Sequence, residues 1–185
     1  MQEAASGSAV RERILDTAAR LFYAHGVRAV GVDRVIKESN VAKATLYTHF
    51  RSKNALVEAY LRRQAERAHA ELLHIEAEAG PACIAAVFDH AAEGADAQNY
   101  QGCCFLNAAA EHLDTNSRAI EILAEHRAFL LACFERSVVR PTAAERTEVA
   151  RVLLALLDGA KVASVDEGSA AFARVKPVGV AIAAG

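Results

Sequence analysis

Within the first fifty residues, apolar side chains recur at helical spacing in three short stripes separated by gaps of only a few residues. Ile14, Ala18, Leu21 and Phe22 fall at i, i+4, i+7 and i+8, which puts them on one face of a helix running from Val10 to His25. Ser8 is its expected N-cap and Gly26 its C-terminal stop. A second helix is predicted from Val32 to Ser39, with Val35 and Ile36 inward, ended by Asn40 because asparagine tolerates the left-handed conformation of a tight turn. A third covers about Lys43 to Phe50, with Leu46 and Phe50 as its buried pair. Three short helices with a three- or four-residue turn between the last two make a helix-turn-helix candidate on pattern alone.

The rest of the chain points the same way. Ala and Leu are abundant and only three residues are Pro, which favours helix, so the expected fold class is all-α. Ser52 is expected to cap a long fourth helix from Lys53 to near Ala79, broken by Gly80-Pro81. Further helices are predicted at about 82 to 93, 102 to 113, 116 to 137 and 142 to 165. Their separators are EGADAQNYQG, Asp114-Thr115-Asn116 and Arg140-Pro141. The final segment, SAAFARVKPVGVAIAAG, reads as a helix weakened by Pro177 and Gly179.

Charge separates the two ends. Residues 1 to 67 carry 12 Lys/Arg and 7 Asp/Glu, net +5, whereas residues 68 to 185 carry 9 and 16, net -7. A basic end on an acidic body suits a protein that meets a polyanion at one end only. The third helix sharpens this: Lys43, Ala44, Thr45, Tyr47, Thr48 and His49 form a polar and aromatic face opposite Leu46 and Phe50. Such side chains can approach base edges and phosphates in a major groove.

The stretch GVRAVGVDRVIKESNVAKATLYTHFRSKNALVEAYL resembles the signature of the TetR (tetracycline-repressor-like) family, in which the recognition helix ends in Leu-Tyr-x-His-Phe. Here the matching residues are Leu46, Tyr47, His49, Phe50, Ser52, Lys53 and Leu56, and the resemblance spans roughly residues 10 to 60. It implies a helix-turn-helix domain over 1–52 and a helical effector-binding and dimerisation domain over 53–185. It also implies a homodimer that binds a palindromic double-stranded DNA operator, with the last two long helices packing against their symmetry mates. Lys43 is then the candidate for guanine acceptors, Tyr47 and His49 match phosphate-contacting positions, and Lys53, Arg51 and Arg34 add phosphate charge. Two departures stand out: Gly31 replaces the usual Thr or Ser cap, and Asn40-Val41-Ala42 replaces the usual Gly, apolar residue and Ser.

No catalytic constellation emerges beyond residue 67, and neither a metal nor a cofactor is expected. Glu71, Glu76 and Glu78 read as a solvated helix face, and His69 and His74 lack an i+4 histidine partner. In GCCFLNAAAEHLD, a helix starting near Gly102 would put Cys104, Ala108, Glu111 and His112 on one face and Cys103 and Asn107 on another. Three readings stay open for these cysteines: small buried hydrophobes, a ligand-pocket lining, or a thiol-based or metal-based sensor. For a small-molecule effector of mainly apolar character the expected lining is Phe88, Cys104, Asn107, Glu111, Phe129 and Cys133. With no signal peptide and no apolar run of about 18 residues, a cytoplasmic location without membrane contact is expected. Four Cys without C-x-x-C spacing argue against structural disulfides. The function expected is a ligand-responsive transcriptional regulator, a repressor released from its operator by a small-molecule effector; the alternatives are a DNA-binding architectural protein without effector and a small helical enzyme.

Overall fold

The computed structural model describes residues 2–75, 80–111 and 118–185. Among them are nine helices and no strand: α1 (Gln2–His25), α2 (Val32–Ser39), α3 (Lys43–His49), α4 (Lys53–Ile75), α5 (Pro81–Ala92), α6 (Cys104–Glu111), α7 (Arg118–Ser137), α8 (Ala143–Glu167) and α9 (Ala170–Ala184). Two compact units result. One comprises Met1–Ala65 with Cys104–Leu123, the other Glu66–Cys103 with Ala124–Gly185.

The first unit is built on the expected stripes. Ile14, Ala18, Leu21 and Phe22 of α1 are buried together with Val35, Leu46, Phe50, Leu56 and Tyr60, and Ile36 is half-buried. Each fully buried Leu, Ile or Phe contributes about 1.5–3 kcal/mol over leaving it in water. The rings of Phe22 and Tyr60 meet at 5.7 Å and 59°, a tilted pairing. Polar side chains then fix the helices to one another. Arg13 Nε donates to the Ser39 carbonyl at 3.1 Å, and Arg63 on α4 reaches Asp16 on α1 at 2.6 Å.

In the second unit, α5 and α8 pack on α9, burying Phe88, Phe134, Leu153, Leu157 and Phe172. Gly179 permits the approach, since a Cβ there would lie 3.3 Å from both Leu153 Cδ2 and Phe88 Cε2. Thr142 and Glu145 form a reciprocal capping box at the start of α8. Asp96 Oδ1 accepts from the Ser169 amide at 2.7 Å and so caps α9 from a distant loop.

Two expectations are corrected. The first helix starts at Gln2, so Ser8 lies inside it and is not its cap; Gln, Glu and Ala ahead of Ser8 propagate a helix readily. The sixth starts at Cys104 because Gly102 has φ +79°, which leaves Cys103 outside the helix and its predicted faces. The last segment is the expected helix, α9, and it is continuous through Pro177, which is exposed. Glu76, Glu78, His112 and Asp114-Thr115-Asn116 lie outside the described residues. No described helix is long and apolar enough to cross a membrane.

Candidate nucleic-acid interface

The turn is set by its backbone. Gly31 is extended at φ -79° and ψ 156° and gives α2 no side-chain cap, while Asn40 takes φ 53° and ψ 53° and its amide closes the helix onto Ile36 and Lys37. Ala42 likewise caps α3 without a side-chain bond, as its missing oxygen requires. Three residues therefore reverse the chain between α2 and α3. With Leu46 and Phe50 buried beneath it, α3 turns Lys43, Ala44, Tyr47 and Thr48 to solvent and leaves Thr45 and His49 half-buried. Tyr47 is 39% exposed, so its ring is available to a partner. Thr48 donates back to the Ala44 carbonyl at 3.0 Å.

The cations around this face are partnered by carboxylates and carbonyls that sequence reading missed. Lys43 Nζ lies 3.5 Å from Asp33 Oδ1 in the first turn of α2. Arg34 Nε donates to Glu38 at 2.9 Å and its Nη2 lies 2.9 Å from His25 Nε2. Arg20 donates to the same Glu38 at 2.7 Å, and these hydrogen bonds, Arg20 first and then Arg34, hold the Glu38 carboxyl below its usual range. Arg51 is exposed. The Arg34 and Glu38 pair was legible as an i, i+4 spacing; the Lys43 and Asp33 pair depends on how α2 crosses α3 and carries no such signal.

Lys53 is half-buried and donates to the Arg28 carbonyl at 3.2 Å. Burial lowers its pKa, opposed by the charge of Glu111. Glu111, at the end of α6, accepts from the Arg28 amide, and a Cβ on Gly26, whose φ is +82°, would sit 2.7 Å from its Oε1. Gly26 is thus required twice: a left-handed stop for α1 and a space for the Glu111 carboxylate. The loop that leads into α2 is held by Lys53 on its carbonyl and Glu111 on its amide.

The remaining predicted effector residues divide between the units. Cys104, half-buried, and Asn107, exposed, are on α6 with Glu111 in the first unit. Phe88 and Cys133 are buried in the second unit's core. Phe129 is half-buried there and stacks on His69 at 3.8 Å between ring centroids. His69 Nε2 in turn lies 3.2 Å from Nδ1 of buried His126. Burial, then the positive charge of Lys161, pushes the His126 pKa down to about 3.

A separate open cavity of about 520 Å³ is lined by Glu71, His74, Ile75, Ala86, Asp89, His90 and Glu93, and includes none of the predicted lining residues. Within it His90 bridges Glu71 at 3.1 Å and Glu93 at 3.3 Å. Among the described residues no three His, Cys, Asp or Glu side chains are placed to share a metal ion. All four cysteines are free thiols.

Residues 14–60 match the sequence profile of bacterial regulatory proteins of the tetR family. An HTH-type transcriptional regulator of Mycobacterium tuberculosis is 37% identical over 62 residues, 34% of this chain and 31% of the relative, so the match spans about a third of that curated protein. The HTH-type regulator LmrA of Bacillus subtilis is 48% identical over 40 residues, 22% of this chain and 21% of LmrA. Along nearly the whole chain, the crystal structure of a TetR-family transcriptional regulator from Streptomyces coelicolor superposes with a TM-score of 0.86 at 30% identity, covering 95% of this chain and 96% of that one. These relatives are regulators rather than enzymes. With its short turned helices matched by the profile and its full helical layout matched by a 30% identical regulator, the chain belongs to the TetR family.

Proposed function

We propose that this protein is a ligand-responsive transcriptional repressor acting in the cytoplasm, where a homodimer binds a palindromic double-stranded operator and a small-molecule effector releases it. The observation that carries the reading is α3 itself: Leu46 and Phe50 anchor it, and the face from Lys43 to Thr48 is turned outward next to basic side chains. Lys43 at the N-terminal end of α3 reads base acceptors, while Tyr47, His49, Arg51, Arg34 and Lys53 address the phosphate backbone. For the effector, the aromatic and thiol side chains Phe88, Phe129 and Cys133 of the second unit are the apolar lining this reading uses. Release is then linkage: the effector weakens operator binding only by its differential affinity for the two states of the dimer.

Site selection from a random duplex pool tests the reading directly and should return a palindrome. On that palindrome Lys43→Ala should cost roughly 1–3 kcal/mol and relax preference at one base pair. Lys53→Ala should instead weaken all duplexes alike and reduce the salt slope by about one. Normal operator affinity in both folded variants would refute these roles, and failure to enrich any site would refute operator recognition.

A further inference from the structure

Two exposed carboxylates on α2, the helix that precedes the recognition helix, stand where a DNA-binding surface ordinarily has no use for negative charge. Asp33 is in the first turn of α2, its side chain is 83% exposed, and it is 3.5 Å from the ammonium of Lys43, itself 67% exposed. Glu38, five residues further along α2, holds both Arg20 and Arg34. An exposed ion pair of this kind stabilises the fold by little, so stability does not account for the arrangement. Its effect on DNA is larger. Every phosphate neutralised by a protein cation releases counterions and strengthens binding to any sequence, and a carboxylate beside that cation cancels the gain and repels the backbone.

We propose that Asp33 is a specificity-determining residue: it withholds the Lys43 charge from the phosphate backbone of unrelated DNA while leaving Lys43 free to donate to base acceptors. The ammonium has three donors and no acceptor. One can stay with Asp33 while the others meet the paired acceptors on a guanine edge, so recognition of the operator proceeds with the pair intact. On an unrelated duplex, where no such acceptors are in register, the pair presents no net charge and adds nothing to counterion release. Glu38 acts on Arg20 and Arg34 in the same sense, which limits how much of the basic end is available to arbitrary DNA. This inference rests on the reading of Lys43 as a base contact.

The test uses the full chain as wild type, Asp33→Asn, Lys43→Ala and the double variant, each shown to fold by its thermal melt. Binding is measured by fluorescence anisotropy over a range of KCl, on the palindrome selected by the wild type and on an unrelated duplex of equal length. Asp33→Asn should bind the unrelated duplex about three- to tenfold more tightly, with a salt slope steeper by about one. Operator affinity should rise less, so the operator-to-unrelated ratio falls by about threefold or more. In the Lys43→Ala background the Asp33→Asn change should leave that ratio unaltered. Unchanged binding of Asp33→Asn to the unrelated duplex would overturn the inference, as would the same tightening with Lys43 absent, since a general field effect would then explain it. Either result leaves the Lys43 reading standing if Lys43→Ala alone still loses operator affinity. A Lys43→Ala protein with full operator affinity would remove both.

Discussion

His126 carries a proton cost that can be read in solution. The side chain is 4% exposed, stacks near His69, and is kept neutral by burial and then by Lys161, so its folded pKa of about 3 lies below the ordinary histidine value near 6.5. Between those values the unfolded chain binds the proton and the folded one does not. Stability therefore rises with pH across this window, is complete above about 6.5, and falls by roughly 1.4 kcal/mol per unit as pH drops below it. From pH 7 to pH 5 the expected loss is about 2 kcal/mol. Glu38, Asp96 and Glu145 have lowered carboxyl pKa values and contribute only at more acid pH, so the window from 5 to 6.5 belongs to the histidines. Urea midpoints at pH 7, 6 and 5 should show a steep decline in the wild type and a shallower one in His126→Gln. Parallel declines would mean that His126 is not the group responsible.

Element boundaries were legible wherever a local backbone rule decides them. Gly26 and Asn40 end α1 and α2 by taking a left-handed conformation, and Ser52 starts α4 by supplying a cap, its Oγ accepting from the Ala55 amide. Tertiary contacts were not legible. Glu111 meets the Arg28 amide across 83 residues, and nothing in either stretch of sequence encodes the partner. The same divide explains α9, where Pro177 and Gly179 weaken helix propensity locally but packing against α5 and α8 holds the helix. At Gly179 the neighbouring Leu153 and Phe88 side chains leave little room for a Cβ, so its lost propensity is offset by fit. Alanine there gains about 1 kcal/mol of helix propensity and meets Leu153 and Phe88 at 3.3 Å, with the two effects of similar size. Valine adds two further carbons into buried side chains and should destabilise by about 1–3 kcal/mol. A chemical denaturation midpoint for Gly179→Val equal to that of the wild type would show that α9 does not pack as described.

At the scale of the whole molecule, what a lone chain leaves uncovered bears on how it would reach DNA. Val152, Ala155, Gly159 and Val162 follow one face of α8 at helical spacing and are exposed, with Val152 at 46% and Val162 at 64%, and Val178 on α9 is 49% exposed. A stripe of small and apolar side chains on long helices suits an isologous contact with a second copy, in which each helix meets its own symmetry mate. Two-fold pairing also matches a palindrome, whose half-sites should be about 10 base pairs apart or somewhat further so that both recognition helices enter one side of the duplex. Joining two heads makes the second half-site contact intramolecular, which raises affinity by about 10²–10⁴ without any new contact to DNA. The double variant Val152→Asp, Val162→Asp places like charges at the centre of that contact while touching no buried residue of the monomer. It should sediment as a folded monomer, lose about 10²–10⁴ in operator affinity, and show about half the wild-type salt slope because only one head binds. A variant that stays dimeric places the interface elsewhere. One that is monomeric yet binds the operator as tightly as the wild type shows that a single head suffices, and the palindrome then has no mechanical role.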